Sequence, residues 1–159
     1  MPMALSIGEY LSGLQVENGG IRGSPVANYL STEENIDSYV FFSLLNQVTA
    51  EPAYLQIEQD IQNWIKNTYN PDTGVFNRGQ IISTDARSGL TTYQPDTGFA
   101  TDTQALAVIA FGPGGLAAMG IDANALLDMT EQLASVTVDY TLPNGSMVSV
   151  TGFDFSDQR

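Results

Sequence analysis

The sequence contains no histidine and no cysteine. Ser-His-Asp and Cys-His catalysis, zinc sites, iron–sulfur clusters and disulfide bonds are therefore excluded. Basic residues are scarce, since five Lys and Arg stand against 18 Asp and Glu and give a formal net charge of −13. Because phosphate contacts need Lys and Arg, neither nucleic acid nor an acidic membrane surface is expected as a partner.

Long hydrophobic runs are also missing. No apolar stretch approaches the ~18–20 residues that cross a bilayer, and the first residues lack a basic region followed by a small-residue cleavage site. We therefore expect a soluble protein without a signal peptide or transmembrane segment in this chain, in a compartment that the sequence leaves open. With 159 residues, 43% of them hydrophobic, the chain suits one folded domain, residues 1–159.

Apolar residues at helical spacing predict a first group of helices. The segment from Pro2 to Leu14 shows this spacing. The stretch Ser31–Glu34 (STEE) matches a capping box, in which the hydroxyl and the Glu three residues later satisfy free N–H groups. The helix that it opens is followed by a break at Pro52 and a second helix to Thr68. The short connection between them predicts an antiparallel helical hairpin.

A second capping box is predicted at Thr101–Gln104 (TDTQ). It opens an apolar helix, Ala105–Phe111, which the glycine-rich residues 112–115 stop. Asp122 is placed to cap a further helix. The two boxes begin 70 residues apart, and each follows a glycine turn, so the chain carries an internal repeat.

Two other stretches depart from the helical pattern. Residues 80–99 are rich in Ser, Thr and Gly without a clear period, which predicts a long polar loop. Alternating apolar and polar residues on both sides of Asn144-Gly145 predict one β-hairpin, residues 135–155. The predicted fold class is therefore mainly α: antiparallel helical hairpins with one C-terminal β-hairpin.

Short motifs add a resemblance to this pattern. An Asn-Gly-Gly turn at 18–20, a Pro-Asp-Thr-Gly turn at 71–74, and the helix openings STEENIDSY (31–39) and FATDTQAL (99–106) are similar to those of the α/α-toroid superfamily. The likeness is to six-hairpin glycosidase-like proteins of bacteria and archaea. It implies inner helices surrounded by outer helices, with a funnel lined by inner-helix N-termini. Members include glycoside hydrolases, polysaccharide lyases and sugar epimerases.

The chain departs from a complete ring of this kind. A full ring takes about six hairpins, and the sequence supplies two or three. Either the chain is part of a larger toroid, or it is a small open relative. Because an open ring exposes apolar helix faces, we expect self-association or pairing with missing hairpins.

Carboxylates near the helix starts are the candidate catalytic residues, because glycosidic cleavage uses two of them. Glu33 and Asp37 are four residues apart on one helix face, and Asp102 lies at the start of the repeat's second helix. The resemblance places an acid from each repeat across a shared funnel. The alternative is that these acids only complement the helix dipole, which favours negative charge in a first turn.

Tyr69 and Tyr93 fall in predicted turns and are candidates for stacking on sugar rings. Four aspartates could suggest calcium, but they lack the EF-hand spacing, so neither a metal site nor a cofactor is predicted. Two functions remain open. One is a glycoside hydrolase-like enzyme, or a fragment of one, that acts on a glycan through a Glu/Asp pair. The other is a non-catalytic helical scaffold that binds a polysaccharide or a protein.

Overall fold

The computed structural model describes residues 1–156. Five helices and seven strands lie within these residues. The helices are Pro2–Ser12 (α1), Thr32–Thr49 (α2), Pro52–Thr68 (α3), Thr101–Ala118 (α4) and Ala123–Ala134 (α5). The strands are Tyr29–Ser31 (β1), Tyr69–Asn70 (β2), Val75–Phe76 (β3), Gly79–Thr84 (β4), Thr91–Asp96 (β5), Ser135–Thr141 (β6) and Met147–Phe153 (β7).

The predicted fold class is wrong. The described chain is 49% helix and 24% strand, with five helices and three small antiparallel sheets, so it is a mixed fold and not a mainly α fold with one hairpin. The sheets pair β1 with β4 and β4 with β5, β2 with β3, and β6 with β7. None of the helices in residues 1–156 combines the length and hydrophobicity that crossing a membrane requires.

The core lies where the helices pack on one another. α2 and α3 are joined by only two residues and pack along each other, as predicted for a helical hairpin. α4 packs against both α2 and α5, and the rings of Tyr39 and Phe111 join α2 to α4 at a centroid distance of 4.5 Å. Trp64, Phe42 and Phe76 are the largest side chains that are almost completely buried.

Residues 80–99 form a β-hairpin and not the predicted polar loop. β4 pairs on one side with β5 and on the other with β1, Ser31 opposite Gly79. The tip is closed by Asp85, whose Oδ1 accepts the backbone N–H groups of Arg87 and Ser88 at 3.0 and 2.6 Å. Such an Asx turn replaces the Asn-Gly signal that marks most short hairpins. The hairpin stands beside the start of α2.

Ser31 caps α2 as predicted, since its Oγ accepts the N–H of Glu34 at 3.4 Å. The prediction of a second capping box is wrong. The N-cap of α4 is Ala100, which has no side-chain acceptor, and Thr101 is the first helical residue. Gln104 does not reach back to the N-cap N–H, because its carboxamide is bonded to the backbone of β3. The predicted break at residues 112–115 is confirmed, because Gly112 leaves the helical conformation (φ 62°, ψ 171°) and a second helical segment follows it to Ala118.

Gln104 and Asn35 make the same contact in two places, which we call the amide clasp. Gln104 Oε1 accepts the N–H of Phe76 at 2.8 Å, and its Nε2 donates to the Phe76 carbonyl at 3.0 Å. Asn35 holds the N–H and carbonyl of Ile21 at 2.7 and 3.0 Å. Each amide also donates to the carbonyl of its own N-cap. The structural repeat is therefore 69 residues, one fewer than the sequence predicts.

The other predicted elements are confirmed in outline. α1 covers most of the segment that begins at Pro2, and Asp122 caps α5 by accepting two backbone N–H groups. β6 and β7 pair in register from Ser135 opposite Phe153 to Thr141 opposite Met147. Gly145 has a φ of 80°, the left-handed conformation that a tight Asn-Gly turn needs.

We predict that Gln104→Ala lowers the free energy of unfolding by about 2–4 kcal/mol, because it leaves two buried backbone groups without partners and opens a cavity. Gln104 is completely buried. Urea unfolding followed by circular dichroism measures the change. Gln132→Ala, on the exposed face of α5, is the control and should change stability by less than about 0.5 kcal/mol. Equal effects of the two substitutions would contradict the role of the clasp.

Candidate functional site

A pocket of about 450 Å³ opens where α2 and α4 begin side by side. Both helices start against a segment from later in the chain: the N–H of Thr32 donates to the Arg78 carbonyl at 3.0 Å, and that of Thr101 donates to the Phe155 carbonyl at 2.8 Å. The lining combines both helix starts with the base of the β4–β5 hairpin. It comprises Tyr29, Ser31, Glu33, Glu34, Arg78, Asp96, Ala100, Thr103 and Phe155.

The first wall of the pocket is acidic. Glu33 and Asp102 are each the second residue of their helix, so the repeat puts them in equivalent positions. Partial burial raises the pKa of Glu33, and the negative charges of Asp102, Asp37 and Glu34 raise it further, in that order. The charge of Asp102 on the neighbouring helix therefore raises the pKa of Glu33 more than either acid of its own helix does.

The three candidate catalytic residues are thus brought together, but they do not have equal surroundings. Glu33 lines the pocket and is half-buried, whereas Asp37 is exposed one turn further along α2. Asp102 is partly buried, and its Oδ1 accepts the N–H of Thr103 at 2.7 Å. Asp102 is not among the residues that line the pocket.

The opposite wall is a bonded group of three side chains that sequence reasoning did not assign to the site. Arg78 donates to both carboxylate oxygens of Asp96, Nε to Oδ2 and Nη2 to Oδ1, each at 3.1 Å. The hydroxyl of Tyr29 donates to Asp96 Oδ2 at 2.9 Å. Hydrogen bonds from Arg78 are the main cause that lowers the pKa of Asp96, whereas burial and then Asp96 raise the pKa of Tyr29 to about 12. This wall carries one fixed anion matched by one fixed cation.

Two glycines make room for this wall. A Cβ on Gly98 would lie 2.9 Å from Nη2 of Arg78, so any larger residue displaces the guanidinium from Asp96. A Cβ on Gly79 would lie 2.7 Å from the Tyr29 hydroxyl and would also overlap the Leu30 carbonyl. The Pro-Asp-Thr-Gly sequence at 95–98, an echo of the turn at 71–74, was the only signal in this region.

The two tyrosines predicted for sugar stacking lie outside the pocket. Tyr69 belongs to β2 and packs edge-on against Phe76 at 5.4 Å, and Tyr93 belongs to β5 opposite Ile82. Both are in strands and not in turns, so their predicted placement is wrong. Within residues 1–156, no group of three or more carboxylates is arranged so that it could hold a metal ion.

Comparison with known proteins supports the fold. No family model matches the sequence, and no curated protein matches it. A solved structure does match: a family 76 glycoside hydrolase from a bovine Bacteroides thetaiotaomicron strain, with a TM-score of 0.57 and 14% sequence identity. The match covers 94% of this chain and 33% of that protein. The fold is thus similar to that of a glycosidase, and the chain spans about a third of the length of that protein.

We predict that Asp102→Asn lowers the pKa of Glu33 towards its ordinary value without restoring it, because burial is the larger cause of the shift. NMR titration of the Glu33 side-chain carboxyl measures this directly and needs no substrate. Asp128→Asn, which removes one charge from the exposed face of α5, is the matched control and should leave the titration unchanged. If Asp102→Asn leaves the pKa of Glu33 unchanged, the two helix starts do not share an electrostatic environment.

Asp96 should contribute to stability in a pH-dependent way. Its pKa in the folded protein is lower than the ordinary value of 3.8, so the carboxylate stabilises the fold above that pH and the contribution is lost as pH falls through the lowered pKa. We expect Asp96→Asn to be less stable than the wild type at pH 7 and to lose less on acidification below pH 3.8. Urea unfolding at several pH values tests this, and parallel pH profiles for the two proteins would refute it.

Proposed function

We propose that the pocket between α2 and α4 binds a glycan and that Glu33 and Asp102 form the carboxylate pair of a glycoside hydrolase-like site. The observation that carries the proposal is the placement of these two acids, at equivalent positions of neighbouring helices, beside a pocket of about 450 Å³. Glycoside hydrolysis needs one carboxyl group that is protonated and one that is ionised. The likeness in fold to a glycosidase supports this assignment.

The raised pKa of Glu33 suits it to the role of the acid. A carboxyl group that keeps its proton to higher pH can protonate a leaving oxygen, which a fully ionised one cannot do. Asp102 is then the partner carboxylate, and the N–H of Thr103, which donates to its Oδ1 at 2.7 Å, helps to position it. Asp37 contributes through its charge, which raises the pKa of Glu33.

The opposite wall supplies groups that suit sugar hydroxyls. Tyr29 presents a phenol that stays protonated far above neutral pH, and Arg78 is already paired with Asp96. With the cation neutralised and a net charge of −13 over the chain, the pocket offers little attraction to a polyanionic polysaccharide. We therefore propose neutral glycans as the substrate class.

Because the chain spans about a third of the matched glycosidase, we also propose that it forms one wall of a larger funnel.

The test is hydrolysis of a panel of neutral polysaccharides, measured as released reducing ends. On any glycan that the wild type cleaves, Glu33→Gln and Asp102→Asn should each lower kcat/KM by at least about 100-fold, the scale of general acid–base catalysis. Asp128→Asn matches the charge change at an exposed position outside the pocket and should leave kcat/KM unchanged. Full activity in both the Glu33→Gln and the Asp102→Asn variants would refute the carboxylate pair.

A second candidate, non-catalytic glycan binding, has one observation in its favour. Glu33 and Asp102 both occupy first-turn positions, where a negative charge is stabilising without any catalytic role. The same panel separates the two functions, because binding measured by calorimetry without released reducing ends would support the scaffold. In that case Tyr29→Phe should weaken binding while Glu33→Gln leaves it nearly unchanged.

A further inference from the structure

The C-terminal hairpin repeats, at a third place, the backbone arrangement that precedes each amide clasp. In every copy a helix runs into a hairpin, and the residue after the hairpin donates its N–H to a carbonyl at the end of that helix. The three bonds join Arg22 to Leu14 at 3.2 Å, Asn77 to Thr68 at 2.8 Å, and Asp154 to Ala134 at 2.8 Å. The residues before these donors, Ile21, Phe76 and Phe153, are therefore structurally equivalent.

The equivalence extends to the helix starts. Thr32 donates its hydroxyl to the Asn77 carbonyl at 2.7 Å, and Thr101 donates its hydroxyl to the Asp154 carbonyl at 2.5 Å. Asn77 and Asp154 thus serve successive helices in the same way. β6 and β7 are a lengthened version of the short β2–β3 hairpin.

Within residues 1–156, the third copy lacks an amide clasp. Because Asp154 bonds Ala134, Phe153 occupies a non-hydrogen-bonded position opposite Ser135, and its N–H and carbonyl point away from β6. In the other copies these two groups are held by the buried amides of Asn35 and Gln104. Among residues 1–156 no side chain bonds the N–H or the carbonyl of Phe153.

The side chain at this position is uncovered as well. Ile21 is 3% exposed and Phe76 is completely buried, whereas Phe153 is 64% exposed. Phe153 also lines a mostly apolar cavity of about 350 Å³, together with Ala105 of α4 and Leu127 of α5. Ile109, one turn beyond Ala105 on α4, is 79% exposed. α4 itself covers the equivalent surface around Phe76 while it packs against α2.

We propose that the Phe153 surface (Phe153 with Ala105, Ile109 and Leu127) binds an α-helix that residues 1–156 do not contain. The helix carries Asn or Gln four residues after its N-cap, and that carboxamide clasps the N–H and the carbonyl of Phe153. Its apolar face covers the Phe153 ring and packs against α4, as α4 packs against α2.

A second copy of this chain does not fit the description. The two amides of the right kind, Asn35 and Gln104, are completely buried and already engaged. The fourth residue after the N-cap is leucine in each remaining helix of residues 1–156: Leu5 in α1, Leu55 in α3 and Leu126 in α5. A leucine side chain can neither donate to nor accept from the Phe153 backbone. The partner is therefore a further helix of the repeat type.

The probe is a synthetic peptide of residues 24–49, which carries the Ser31 N-cap and Asn35, added to the full chain. A benzophenone side chain in place of Ile36 of the peptide reports by photo-crosslinking and mass spectrometry where the peptide docks. We expect adducts on α5 and β7, and a Kd that rises about tenfold when the peptide carries Asn35→Ala, which loses two hydrogen bonds. Adducts confined to the surroundings of Ile21 would mean displacement of α2 and would overturn the proposal.

Matched substitutions in the protein complete the test. Phe153→Asp should weaken peptide binding about tenfold or more, because it places a charge where an apolar face docks. Met147→Asp is the control, since Met147 lies on the same strand, is 67% exposed and sits at the far end of the hairpin. No binding of the peptide, or equal binding by the Asn35→Ala peptide, would refute the proposal. Self-association that Phe153→Asp abolishes and the peptide does not compete with would assign the surface to a second copy instead.

Discussion

The amide clasp is the contact on which the architecture depends. Each clasp joins the first turn of a helix to the turn that ends the preceding hairpin, through buried groups that have no access to water. A buried backbone N–H or carbonyl without a partner costs about 1–3 kcal/mol, so the helix start is held at one height relative to the hairpin. Because Asn35 and Gln104 do this at equivalent positions, α2 and α4 begin at the same level, and their second residues come together.

The surroundings of the pocket shift the pKa values of its carboxyl groups in opposite directions. Glu33 is partly buried among other acids, and its pKa rises; Asp96 is held by a guanidinium, and its pKa falls. Here the charged pair of Arg78 and Asp96 also fixes the Tyr29 hydroxyl, so one wall is rigid and neutralised while the other retains its negative charge.

The sequence predicted the features that depend on near neighbours. The Ser31 cap, the α2–α3 hairpin and the Asn-Gly hairpin are all encoded within a few residues, and they are confirmed. The β4–β5 hairpin was missed because β4 is stabilised by β1, about 50 residues earlier in the chain, and because its tip uses Asp85 in place of Asn-Gly. No local pattern contains that pairing.

The candidate site also combines residues that the sequence pattern indicates with residues that only the folded sheet brings together. Glu33 and Asp102 were predicted to come from neighbouring helix starts because the repeat shows in the sequence, even with the register displaced by one residue. Tyr29, Arg78 and Asp96 come from three strands or their edges and meet only when the sheet forms. The TDTQ sequence misled because Gln104 has a partner in Phe76 that lies 28 residues away, and a buried pair of hydrogen bonds outweighs a single bond at an exposed cap.

The chemistry of the clasp explains how one helix turn can hold the architecture and also carry the candidate site. Holding an N–H and a carbonyl together requires one acceptor and one donor. A carboxamide has both, whereas an ionised carboxylate has acceptors and no donor. The fourth residue of α2 and of α4 is therefore unsuited to an acid, and the first residue of each is a threonine whose hydroxyl is bonded to a segment later in the chain. The second position is left free of these structural contacts, and it is there that the repeat places Glu33 and Asp102.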